Sequence, residues 1–151
     1  MSAPVPGAGL ADDAEQWLAG LTAVGEIGSL GSGMQRLVGD WVAQVQAVPV
    51  AVIVAGLDEA EALLEQHGWV QGRYGSVDTG FSVAGAIEEV GYRSGWRPER
   101  GATLCVRTVL VLRGRGSSLS EWNDDLRRDE ADVTALLAEA RELARRIGGD
   151  R

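Results

Sequence analysis

Apolar side chains recur every three or four residues over most of this chain, the repeat of a helix with one face turned inward. Met34, Leu37, Val38, Trp41, Val42, Val45 and Val48 form the most regular stripe and predict a helix stopped near Pro49. Ala11, Ala14, Trp17, Leu18, Leu21 and Val24 predict another ahead of it, with Asp12, Asp13 and Glu15 near the start, where the helix dipole favours acids. Ala60, Leu63 and Leu64 lie among Glu59, Glu61 and Glu65 and predict a third, ending at His67 with Gly68 as a left-handed cap. Residues 81–91 read as a short helix whose Gly85-Ala86 step lets a neighbouring backbone approach closely. Ser118-Leu119-Ser120-Glu121 has the spacing of a capping box and leads into Trp122-Asn123-Asp124-Asp125. A last helix follows, with Asp129 as its N-cap, Val133, Leu136, Leu137, Ala140, Ala144 and Ile147 on its apolar face, and Gly148-Gly149 at its end.

Two runs obey no single period. Residues 50–55 (Val-Ala-Val-Ile-Val-Ala) and 103–112 are short, continuous, apolar and rich in β-branched residues, as a buried strand would be. The first also reads as the opening turns of the His67 helix. The second also reads as a helix started by Pro98 and Glu99, with Leu104, Cys105, Thr108, Val111 and Leu112 on one face. The pattern as a whole predicts a mainly α protein, with α+β as the alternative if both runs are strands. It divides into a flexible tail (1–9), an N-terminal helical pair (10–48) and a core (49–148), within one compact domain.

Composition narrows the chemistry. At 151 residues, 45% of them hydrophobic, the chain can bury one sizeable core. The single cysteine, Cys105, excludes an intrachain disulfide and a thiolate metal cluster. The first residues carry neither a basic nor a long apolar segment, and no run approaches the roughly 18 apolar residues of a membrane span. A cytoplasmic protein with no membrane contact is expected. The glycines at 25, 28, 31 and 33 fit neither a dinucleotide fingerprint nor a phosphate loop, and no HExxH is present, so no cofactor and no metal are expected.

The net charge of −8 is unevenly placed. Residues 1–70 carry nine acidic side chains against Arg36 alone, and the rest of the chain is neutral. Within that neutral part Arg93, Arg97, Arg100, Arg107, Arg113 and Arg115 face only Glu99, a cluster that could meet an anion or a nucleic acid. The overall charge makes nucleic acid the less favoured partner.

The order His67-Gly68-Trp69-Val70-Gln71-Gly72, then Gly85-Ala86, then Leu119-Ser120-Glu121-Trp122-Asn123-Asp124 ahead of a helix with Val133, resembles DUF6197, an uncharacterised family of small actinobacterial and phage proteins. The resemblance covers roughly residues 56–140. It implies a mainly helical unit in which 102–112 is helix, and it carries no activity. Members commonly hold a cysteine after the first tryptophan and another at the start of the Gly-Ala helix; Val70 and Phe81 or Ser82 stand there in this chain.

Five tryptophans against one phenylalanine direct attention to indoles. Trp17 and Trp41 lie on apolar stripes and read as core. Trp69, Trp96 and Trp122 lie at turns or helix starts, where an indole can wall a pocket while its N–H finds a polar partner. The W-x-Q-G and W-N-D motifs are expected to lie against each other, with Gln71, Asn123 and Asp124 bonding across the contact and His67 at its rim. The favoured reading is a helical binding or adaptor protein, taking a small molecule or a partner protein at Trp69, Gln71, Trp96, Trp122, Asn123 and Asp124. An alternative is an acid–base enzyme (isomerase, cyclase or hydrolase) using His67 with Asp124 or Asp125. The stripe through Met34, Leu37, Val38, Trp41 and Val45 reads as core or, in part, as a homodimer surface.

Overall fold

A computed structural model describes residues 31–116 and 118–148. The expected tail and the helix of residues 11–24, with Trp17, lie outside the described residues, as does Gly149. Among the described residues six helices and one small hairpin follow in order: α1 (Ser32–Gln46), α2 (Val50–His67), β1 (Gly75–Ser76), β2 (Gly80–Phe81), α3 (Val83–Ser94), α4 (Trp96–Leu112), α5 (Leu119–Asp124) and α6 (Glu130–Gly148). β1 and β2 pair antiparallel, with Gly75 opposite Phe81 and Ser76 opposite Gly80.

The mainly α reading holds, and the α+β alternative falls: residues 50–55 are the start of α2 and 103–112 are most of α4. The reason is enclosure. α4 packs against α1, α2, α3 and α6, and Ala102, Leu104, Cys105, Val106, Thr108, Val109, Leu110 and Val111 are all buried. Within 103–112 only Thr103 and Arg107 remain of the polar face of α4, too narrow a stripe to fix a helical period, so this stretch looks like a buried strand. Thr108 fits there because its hydroxyl donates to the Leu104 carbonyl at 2.7 Å.

Pro49 caps α2 and turns the chain by 102° from α1. α2 and α4 then cross closely at two glycines. A Cβ on Gly56 would lie 2.9 Å from the Pro98 carbonyl oxygen, and one on Gly101 would lie 2.6 Å from Ile53. α1 joins the same core through Val38, Trp41, Val42 and Val45. Of the residues offered as a dimer surface, Val38, Trp41 and Val45 are therefore buried within the chain, Met34 is partly buried, and Leu37 is 38% exposed. Arg141 of α6 ties the outer face of α2, bonding Asp58 and Glu61 at 2.6 Å each. No single helix among the described residues is long and apolar enough to cross a membrane.

Candidate functional site

The turn after α2 begins at Gly68, whose N–H bonds to Leu64 and whose φ of +95° and ψ of 154° are extended on the left side of the map, not the left-handed helical cap expected there. This geometry sends Trp69 and Val70 alongside β2: the Phe81 N–H donates to the Gly68 carbonyl at 2.8 Å and the Val70 N–H to the Phe81 carbonyl at 2.9 Å. Ser118 caps α5 through the Glu121 N–H, as the capping box predicts, and this short helix lays Asn123 against the turn.

Asn123 is fully buried. Its Oδ1 accepts from the Trp69 indole at 2.7 Å and from the Val83 N–H at 3.0 Å. Its Nδ2 donates to the Val70 carbonyl and to Asp124 Oδ1, both at 3.0 Å. Donors on one side and acceptors on the other admit only this amide orientation. Gln71 Nε2 donates to the main-chain carbonyls of Asn123 and Asp125 at 3.0 and 2.7 Å, and the Gly72 N–H donates to Asp124 Oδ1 at 2.8 Å. The two motifs thus meet as expected, and the Asn123 amide and the Trp69 indole N–H are already paired within the chain. The junction fastens the turn, β2 and the start of α3 to α5.

The remaining residues singled out in the sequence do not gather there. His67 makes an edge-to-face contact with Phe81 at 5.9 Å, and among the described residues no hydrogen bond or ion pair joins it to Asp124 or Asp125. Asp125 is held by the Arg127 side chain and N–H, which lower its pKa to about 2. Trp122 is buried beneath the Arg128 guanidinium, 4.3 Å from the ring centroid. Trp96 stands 69% exposed at the first turn of α4. The arginine cluster is also dispersed, with Arg93 on Glu89, Arg100 on Gln44 and Arg113 on Glu139. Cys105 is buried, and desolvation pushes its thiol up to about 12, which leaves it unreactive.

Among the described residues a further cavity lies along α3. It is an open groove of about 540 Å³ between α3, α4 and the start of α5, lined by Tyr74, Ala84, Glu88, Glu99, Thr103, Arg107, Ser118, Leu119 and Ser120. Tyr74 reaches it because the Tyr74 carbonyl, which accepts from Ser82, runs against the bare backbone of Gly85; a Cβ there would collide with that oxygen. This is the close approach that the Gly85-Ala86 step allowed. Farther along α3, the Glu99 carboxylate lies across Gly91, where a Cβ would again intrude. Glu99 makes no side-chain hydrogen bond or ion pair among the described residues, whereas Glu88 accepts from the Tyr92 hydroxyl at 3.4 Å. The Arg107 guanidinium lies 4.5 Å over the Trp41 ring.

Sequence reasoning placed none of Tyr74, Glu88, Glu99 and Thr103 in a site, reading Glu99 as a helix start and as the lone acid beside the arginines. Glu99, Thr103 and Arg107 do stand at i, i+4 and i+8, the spacing of one helix face, and so do Ala84 and Glu88 at i and i+4. What was hidden was that the two rows face each other.

The fold and junction define a small, mainly helical protein in which a W-x-Q-G turn is clasped by a W-N-D helix. A family model described as a family of unknown function, DUF6197, matches residues 49–143, well over half of the chain, and the chain belongs to this family. α1 lies outside the match yet shares the core. No curated protein and no solved structure matches the chain.

Proposed function

We propose that the protein is a binding module that takes a small polar molecule in the groove between α3, α4 and α5. The observation that carries this reading is a groove of about 540 Å³ lined by side chains of both charges and by hydroxyls, with the Glu99 carboxylate bonded to nothing among the described residues. Its volume lies within the range of small-molecule sites. A cation or donor on a ligand would give the half-buried Glu99 carboxylate the counterpart that the junction's groups already find within the chain. The tryptophan-walled version has smaller cavities behind it, about 230 Å³ beside Trp122 and about 50 Å³ beside Trp69, and the Trp69 indole N–H is already bonded to Asn123. The acid–base reading has less behind it, since His67 is bonded to neither carboxylate and Asp125 is tied to Arg127. A cytoplasmic setting accords with a single buried, unreactive thiol at Cys105.

The test is a thermal-shift screen of small polar metabolites against the native chain, Ala84→Trp and Trp96→Ala. Ala84→Trp fills the groove, and Trp96→Ala changes an exposed indole elsewhere. Stabilising compounds should lose their effect in Ala84→Trp and keep it in Trp96→Ala. A screen in which every stabilising compound ignores Ala84→Trp would overturn the reading.

A further inference from the structure

The unpaired polar groups of the groove set the chemistry of its ligand; this step rests on the groove being the binding site. Glu99 and the hydroxyls of Tyr74, Thr103 and Ser120 make no side-chain hydrogen bond among the described residues. The Glu99 carboxylate lies against Gly91 of α3, and Glu88, which also lines the groove, stands less than one helical turn before Gly91. Two carboxylates from different helices thus share one stretch of the α3 wall. Arg107 is already engaged, with a partner of its own and its guanidinium over the Trp41 ring, so no ligand group falls to it. The charge left for a ligand to answer is negative.

A bare metal ion answers it poorly, since among the described residues no three His, Cys, Asp or Glu side chains gather to ligate one. A primary ammonium answers it better. It carries three N–H donors, and Glu88, Glu99 and Thr103, one turn on from Glu99 along the same face of α4, offer two carboxylates and a hydroxyl. The Tyr74 and Ser120 hydroxyls, which both donate and accept, are left for the rest of the molecule and suit a body that carries hydroxyls of its own. We propose that the groove takes a hydroxylated primary amine of the amino-sugar type, with its ammonium on Glu88 and Glu99 and its hydroxyls on Tyr74 and Ser120.

Titrations followed by amide NMR at about pH 6, where an amine is charged and a glutamate ionised, would use glucosamine, glucose, N-acetylglucosamine and propylamine. Glucosamine should move the signals of Ala84, Thr103 and Leu119. It should bind on the order of ten-fold tighter than each of the other three, because it alone brings both a charge-assisted bond and a hydroxylated body. Glu99→Gln should bring glucosamine close to glucose, whereas Glu139→Gln, which removes a carboxylate on α6 outside the groove, should leave the preference intact. A preference for glucosamine that survives Glu99→Gln unchanged overturns the assignment of its ammonium. Glucose that binds as tightly as glucosamine overturns the ammonium altogether, and propylamine that does so overturns the hydroxylated body; either result leaves the groove as a site. If no probe moves the groove, amino-sugar recognition falls, and the metabolite screen with Ala84→Trp decides separately whether the site falls with it.

Discussion

The two ends of α5 put polar groups to opposite uses. At its C-terminal end Asn123, Asp124 and the neighbouring main chain meet Trp69, Val70, Gln71 and Gly72 in a set of bonds that leaves the buried amide fully matched. At its start, Ser118 and Ser120 border an open groove in which Glu99 has no partner among the described residues. A helix end beside an indole is thus no guide to a binding site by itself. What separates the two regions is how far the chain already supplies each donor and acceptor with its counterpart: the junction pairs its buried groups internally, and the proposed reading gives the groove to an outside molecule.

The sharpest way to break this contrast is to remove the hub of the junction. Asn123→Ala strands the Trp69 indole N–H, the Val83 N–H and the Val70 carbonyl. At about 1–3 kcal/mol for each buried group left unmatched, a loss of about 3–5 kcal/mol is expected in urea unfolding. A loss below about 1 kcal/mol would mean that water or a rearranged turn replaces these bonds, and the junction would not be the fastening described.

Glycine substitutions on α3 sharpen the contrast further. In Gly85→Ala the added methyl meets the Tyr74 carbonyl, which is main chain anchored by Ser82, and a cost of about 2–3 kcal/mol is expected. In Gly91→Ala the methyl meets the far end of the Glu99 side chain, which can swing away. Alanine is also favoured over glycine inside a helix by about 1 kcal/mol, so the net change should lie within about 0.5 kcal/mol of zero. Equal costs at the two positions, measured in the same unfolding assay, would show that the groove wall is as rigid as the junction. Glu99→Gln should likewise change stability by less than about 0.5 kcal/mol, because no partner is lost.

The smallest expected effect is a dependence on pH. Arg127 holds Asp125 at about 2 in the folded chain, below the roughly 3.9 of an unfolded aspartate. A carboxylate lowered on folding adds stability above the unfolded value and loses it as pH falls from about 4 to about 2. Asp125→Asn should flatten the melting curve against pH only within that window. Flattening that extends toward neutral pH would point to a different titrating group.

Much of the helical architecture could be read from residue order alone. The α1 stripe, the Ser118 capping box and the last helix follow from local rules of period and capping, and each appears where those rules place it. Asp129 accepts from the Asp132 N–H at 3.0 Å, while Asp132 accepts from the Asp129 N–H at 2.9 Å, a reciprocal cap of which only the first half was legible. The meeting of Trp69 and Gln71 with Asn123 was also legible, since both motifs leave main-chain groups to be satisfied at helix ends.

Tertiary structure decided what short-range pattern leaves open. Whether residues 50–55 and 103–112 are strands or helices depended on how many neighbours enclose them, because burial on most sides narrows the polar face from which a period is read. The stripe of α1 looked the same whether it met another copy or its own chain; the packing of α4 and α6 against it buries Val38, Trp41 and Val45 within the chain. The groove is the clearest case. Glu88 and Glu99 are charges on two separate helices until the turn at Gly95 sets α3 beside α4, and the bare backbone of Gly91 lets the Glu99 carboxylate lie between them. Helical period is a property of neighbours along the chain, whereas a site is a property of side chains brought together across it, and only the packing of the helices carries that information.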